Sequence, residues 1–216
     1  KFLPLLKPFC FLFNEFWSSH QEVTFVGYES PDFSMPQNFR FVSLGVQRGV
    51  KYWADDLRPF IQSLDCDYFA YTAEDMFLAR EVNFESLSTL LTSCNNMVKK
   101  PGRIALGDSV ANQIHEKYKD SDRVIVQSPI SNYRLSLQWS MWRKDYFLKY
   151  LKPNFSQWDY EVRNMSESRF DAATIAGFSS EYPLGFCNAL QTKGQSDNLD
   201  FNRLKFDLVD ICSHRE

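Results

Sequence analysis

A chain of 216 residues, 44% hydrophobic and 24% charged, has the length and composition of one globular domain, which argues against disordered and fibrous classes. Its net charge of −3, with no run of Lys or Arg, offers no attraction to phosphate backbones and argues against nucleic acid as a partner. Aromatic residues reach 16%, which implies a ring-rich core or a ring-lined cleft suited to sugars or bases.

The first segment, KFLPLLKPFCFLFNEFW, is apolar, but Lys7, Asn14 and Glu15 interrupt it short of the roughly 20 residues a membrane span requires. Phe9, Phe13, Phe16 and Trp17 share a helical face, so a core helix is predicted there. With no initiator Met, residues are expected upstream of Lys1. VTFVGY reads as a strand, Ser30 to Asn38 as a loop with two prolines, and FRFVSLG as a second strand. Trp53, Leu57, Phe60, Ile61 and Leu64 form a helix stripe that Pro59 is predicted to kink or shorten.

Asp67 to Thr72 lacks strict alternation, the pattern of a strand covered on both faces, and it leads to Ala73-Glu74-Asp75. A helix with Phe84, Leu87, Leu90, Leu91, Cys94 and Met97 on one side follows. Such alternation of helices and short apolar strands predicts an α/β fold with a mostly parallel sheet. Further on, Arg103–Leu106, Arg123–Gln127 and Tyr133–Trp139 read as strands, the last alternating Tyr133, Leu135, Leu137 and Trp139 with polar residues. Arg143 to Leu151 reads as a short helix, and Asn154 or Ser156 as the cap of another that carries Trp158, Glu161, Val162 and Met165 on one face. Residues 177–194 read as loop, and Leu199 to Ile211 as a final strand or helix.

Ligands of open α/β sheets gather beyond the carboxyl ends of strands, which is where Glu74-Asp75 lies. Paired carboxylates supply hard oxygen ligands for Mg²⁺ or Mn²⁺; alternatively they cap the following helix. Glu161, beside Trp158 among apolar neighbours, suits a general base if partial burial raises its pKa, and otherwise is a helix-surface acid. Gln138, Trp139, Trp142, Arg143 and Asp145 mix flat rings with hydrogen-bonding groups, a set that binds sugars and phosphates or simply packs a core. His20, His115 and His214 lack ligand-like spacing, although His214 is placed to complete a metal site. Five cysteines (Cys10, Cys66, Cys94, Cys187, Cys212), odd in number and without CxxC spacing, point to free thiols in a reducing, cytoplasmic compartment. GxGxxG, GxxxxGK[ST] and GxSxG are absent, which disfavours dehydrogenases, P-loop enzymes and α/β-hydrolases.

The succession KPFCFLFNEFW, VTFVGYE, FVSLG, WADDLRPFI and DYFAYTAEDMFLAREVN, continued by SLQWSMWRKDYFLKYL and QWDYE, resembles bacterial and viral glycosyltransferases of the nucleotide-diphospho-sugar (GT-A) fold. The likeness covers residues 2 to 165, and it implies a single domain whose first hundred residues bind the donor and whose remainder binds the acceptor. It implies that Asp75 with Glu74 holds Mn²⁺ or Mg²⁺ and the donor diphosphate, although an Asp-x-Asp spelling is lacking. It also implies that Glu161, with Asp145 in reserve, takes the acceptor proton, and that Gln138, Trp142, Arg143 and Trp158 shape the substrate pocket. The fold normally opens with a strand that binds the nucleotide base; here the sequence starts in the following helix, so that strand either precedes Lys1 or is lacking and the chain departs from the family at its nucleotide pocket. The expectation is an inverting, metal-assisted transferase acting on a surface glycan or glycolipid, at the inner face of a membrane in the latter case. Its rivals are a glycan-binding domain on the same scaffold and a sugar nucleotidyltransferase.

Overall fold

Leu6, Phe9, Cys10 and Phe13 recur at intervals of three and four, and the chain coils there into helix α1 (Leu6–Phe16), which buries that stripe together with Leu12. The structure, a computed structural model, describes residues 3–119, 121–171 and 174–189. Strands β1 (Val23–Gly27) and β2 (Phe39–Ser43) pair in parallel as a two-stranded sheet, in register from Val23 opposite Phe39. Helix α2 (Trp53–Ser63) then buries Ala54, Leu57 and Ile61. It runs through Pro59 for 11 residues, so the predicted shortening does not occur. Pro59 faces solvent while Leu57 and Ile61 on either side pack into the core, and that burial offsets the lost helical hydrogen bond, a loss of about 3 kcal/mol.

Strand β3 (Tyr68–Tyr71) passes through a turn at Glu74-Asp75 into β4 (Met76–Leu78). Helix α3 (Phe84–Asn95) follows, with the Asn83 side chain accepting the Ser86 N–H at 2.9 Å. After it come β5 (Arg103–Ala105), β6 (His115–Lys117), β7 (Val124–Gln127) and β8 (Ser140–Arg143). Three short helices follow, α4 (Lys144–Tyr150), α5 (Gln157–Val162) and α6 (Met165–Arg169), then β9 (Ile175–Phe178) and β10 (Phe186–Asn188). Strands β10 and β4 pair antiparallel.

The main sheet has the order β3-β8-β5-β9-β7-β6, and only β5 and β9 are parallel neighbours in it. The fold is therefore mixed α/β with a mostly antiparallel sheet, which corrects the expectation of a mostly parallel one. Strand β3, helix α3 and β5 do form a crossover that leaves β3 and β5 pointing the same way. Strand β8 arrives from much later in the chain and slots antiparallel between them, with Phe69 and Arg103 both opposite Trp142. Strand β3 is consequently an edge strand, half-buried with Ala70 exposed, rather than one covered on both faces.

Alternate residues of the strands feed two cores. Ile104, Leu106, Val124, Ala176 and Phe178 join α1 and α3 on one face, whereas Ala105, Ile125, Trp142 and Ile175 join α2, α4 and α5 on the other. Two further readings are corrected. Tyr133–Trp139 is irregular rather than a strand, because Arg134 and Ser136 are as buried as Leu135 and Leu137. Arg134 donates to the carbonyls of Gln127, Ser128 and Ser168, which pins the segment as a loop. Residues 177–194, read as loop, include the end of β9 and all of β10. The segment from Leu199 to Ile211, with Cys212 and His214, lies outside the described residues.

Candidate active site

Glu74 and Asp75 occupy the turn between β3 and β4, closed by the Met76 N–H to the Ala73 carbonyl at 3.2 Å. They do not cap a helix: the cap of α3 is Asn83, eight residues on. Two further bonds hold the turn. The Asp75 carbonyl accepts the Ala189 N–H at 2.7 Å, and Trp139 Nε1 donates to the Met76 carbonyl at 2.9 Å. Trp139 in turn stacks on Phe9 and Phe13 of α1, with ring centroids 6.1 and 6.3 Å away. The ring thus ties the acidic turn to the core.

Glu161 reaches the same place from α5. That helix starts at Ser156, which forms a capping box with Asp159: the Ser156 hydroxyl accepts the Asp159 N–H, and the Asp159 carboxylate accepts the Ser156 N–H at 3.0 Å. Tyr160 is fully buried and meets the rings of Trp53 and Trp142 edge-on, which locks the rotation of α5. Its neighbour Glu161 is half-buried, and Oε1 accepts the Leu137 N–H at 2.6 Å. Trp158, one turn earlier, is 65% exposed.

These residues line one cleft of about 670 Å³, which holds Glu74, Asp75, Gln138, Trp158 and Glu161 together. It lies beyond the carboxyl ends of β3 and β5 and the start of β8, which coincide because β8 runs against both. Burial pushes the Glu74 carboxyl above its ordinary pKa, and the adjacent Asp75 charge pushes it the same way. Burial also raises Asp75 and Glu161; for Glu161 the Leu137 N–H and the charge of Arg103 act in opposition. The phenol of Tyr71, at the end of β3, is raised by burial and then by the charges of Glu74, Glu161 and Asp75, so all three carboxylates act on one ring.

Three of the other expected site residues lie elsewhere. Trp142 is fully buried, with Tyr146 stacked on it and Phe147 and Tyr160 edge-on, so it packs the core and cannot line a pocket. Arg143 and Asp145 form an ion pair at 2.6 Å in a separate cleft of about 390 Å³ with Lys99, Lys100, Lys149 and Asp171. Strand alternation is the reason: Trp142 and Arg143 are adjacent on β8 and must face opposite ways. The cleft also recruits residues that the sequence reading passed over, among them Asp108, Ser109, Asn112, Gln113, Tyr133 and Ser136. Asp108-Ser109 was legible by the logic applied to Glu74-Asp75, since both pairs directly follow a strand. Tyr133, in a left-handed backbone conformation at φ 51° and 44% exposed, carries no such signal.

No protein-family model matches the chain, and no curated protein matches it. Among solved structures it is similar to the crystal structure of apo-UDP-glucose pyrophosphorylase, at a TM-score of 0.42 and 10% identity, over 81% of this chain. The chain spans 64% of the length of that protein. So remote a likeness carries no argument about activity, and the chemistry rests on the cleft itself.

Two adjacent carboxylates that burial holds above their ordinary pKa, Glu74 further raised by the charge of Asp75, suit a hard divalent cation, which would offset that cost. Among the described residues no group of three or more His, Cys, Asp or Glu is arranged around a metal position. Such a cation would take its remaining ligands from water and from a bound phosphate, as Mg²⁺ commonly does. Cys10 and Cys94 are buried thiols pushed up to about 12 by burial, so neither is an activated nucleophile, and Cys10, Cys66 and Cys94 are free thiols rather than disulfide partners. No helix among the described residues is long and apolar enough to cross a membrane.

Proposed function

We propose that this cleft transfers a sugar from a nucleotide-diphospho-sugar to the hydroxyl of a glycan or glycolipid acceptor, with inversion at the anomeric carbon. The observation that carries the reading is the convergence of the Glu74-Asp75 turn and Glu161 on one cleft rimmed by the exposed Trp158. Paired carboxylates, one separate half-buried carboxylate, exposed rings and several amides form the donor set that such a reaction uses.

Glu161 removes the acceptor proton. The Leu137 N–H, donating to Oε1 at 2.6 Å, and the Ser136 hydroxyl orient the carboxylate in the cleft. The acceptor oxygen then bonds to the anomeric carbon as the bond from that carbon to the diphosphate oxygen breaks. Glu74 and Asp75 would hold Mn²⁺ or Mg²⁺, which when bound neutralises charge on the leaving diphosphate. Trp158 and Tyr133 offer flat faces to sugar rings, and Gln138, Asn112 and Gln113 hydrogen-bond to hydroxyls.

The test is a screen of nucleotide-sugars for nucleotide diphosphate release, with and without Mn²⁺. The expected result is metal-stimulated release that Asp75→Ala abolishes and Glu161→Gln slows while donor binding persists. Normal turnover in Asp75→Ala overturns the reading. Sugar binding without release makes the domain a glycan-binding module, and release of pyrophosphate from a nucleoside triphosphate and a sugar phosphate makes it a nucleotidyltransferase.

A further inference from the structure

Arg103, on β5, is fully buried, and among the described residues no carboxylate lies within ion-pair distance of it. Desolvating a guanidinium is expensive, and the charge that acts most against this, that of Glu161, lies beyond ion-pair distance, so its position calls for a physical reason. Burial pulls its pKa down to about 10, which leaves it charged at neutral pH. Its donors go to neutral oxygens: Nε to Ser140 Oγ at 2.9 Å and Nη2 to Ser109 Oγ at 2.7 Å, while the guanidinium carbon sits 5.6 Å from the Trp142 ring centroid. Ser140 passes its own hydrogen to the Gln138 carbonyl at 2.8 Å. Ser109 has no such internal acceptor among the described residues, and it lines the cleft.

The geometry of Ser109 follows from this. Its oxygen accepts from a charged donor, so its own hydrogen must point away from Arg103 and is made a stronger donor by that charge, and Ser109 lines the cleft. Beside it Asp108, also in the cleft lining, accepts the Asn112 amide on Oδ2 at 2.8 Å, and among the described residues no hydrogen bond engages its other oxygen. A donor and an acceptor on successive residues complement a sugar hydroxyl, which both accepts and donates. The loop that carries them is held close to β10: a Cβ on Gly107 would stand 2.3 Å from the Phe186 ring, so a larger residue there would require that ring to move.

We propose that Asp108 and Ser109 form a subsite that recognises one hydroxyl of the bound sugar, with Arg103 as the positioning residue that aims the Ser109 hydrogen at it. The proposal rests on the reading of the cleft as a nucleotide-sugar site and assigns part of its specificity.

The test uses the whole chain, a panel of UDP- and GDP-hexoses, and the monodeoxy analogues of whichever hexose binds, with affinity measured by calorimetry. Wild type is expected to bind one monodeoxy analogue on the order of tenfold more weakly than its parent. Ser109→Ala should bind the parent as weakly as that analogue and no longer distinguish the two, while Ser109→Thr restores the discrimination. Arg103→Lys, checked for folding by circular dichroism, should reduce the discrimination without abolishing nucleotide binding. If wild type binds no member of the panel, the nucleotide-sugar reading falls and this subsite with it. If wild type binds and Ser109→Ala discriminates as wild type does, the subsite alone is overturned.

Discussion

Glu161 carries two opposed demands. As a base it must be ionised, yet its burial disfavours the charge, so its pKa lies above the ordinary carboxylate range. A raised folded-state pKa means that the folded protein holds the proton more tightly than the unfolded chain does. The contribution to stability is therefore complete at acid pH and is lost as pH rises through the folded pKa. Glu161→Gln keeps an oxygen to accept the Leu137 N–H and removes the buried charge. Thermal denaturation at neutral pH should show it as stable as wild type or more so, with the difference vanishing in acid, while turnover falls by about 10²–10⁴-fold. The pH profile of wild-type transfer should fall on the acid side as Glu161 takes up its proton, at higher pH than an ordinary carboxylate would, and loss of that limb is expected in the Gln variant. A profile with no acid limb would remove Glu161 from the role of base.

Helix α5 has only six residues, too few to persist without its cap and its buried anchor. The capping box at Ser156 and Asp159 and the burial of Tyr160 are what hold Glu161 and Trp158 over the cleft. Ser156→Ala should lower stability by about 1 kcal/mol in chemical denaturation, and should lower turnover more than this small loss implies, because the base moves with the helix. Ser156→Asp, another favourable cap residue, should restore turnover if the cap is what matters. The acidic turn has a different support. Trp139 bonds the Met76 carbonyl and leans on α1, so the first helix of the described chain contributes to a site that none of its residues lines.

At the scale of the whole molecule two clefts open on different parts of the sheet, and they separate residues that stand close together in sequence. Gln138 lines one and Asp145 the other, seven positions apart, with β8 crossing the sheet between them. The Arg143–Asp145 pair is mostly exposed, so it contributes little to stability. Asp145→Asn should leave both nucleotide-sugar turnover and melting temperature near wild type. A loss of turnover comparable to that of Glu161→Gln would move the base to the second cleft.

Several local elements were legible because their determinants are local: the helical spacing that begins with Phe9 and Phe13 and the cap at Ser156 each depend on a few consecutive residues, whereas the Asn83 cap of α3 and the turn at Glu74-Asp75 were not read. The loop from Tyr133 to Trp139 was not, because its alternation matches a strand and only the burial of Arg134, whose carbonyl partners include Ser168, shows otherwise. Strand direction within the β3-α3-β5 crossover was likewise implied by the alternation of elements. Which strand lies between β3 and β5 was decided by pairing across more than 30 residues, and no periodicity records that. The sequence by itself determined that acids, rings and amides follow strand ends. Only the tertiary structure decided which of them share a cleft: Glu161 and Asp108 join Glu74 and Asp75 because β8 lies antiparallel between β3 and β5, and Trp142 leaves for the core because adjacent residues on a strand face opposite sides.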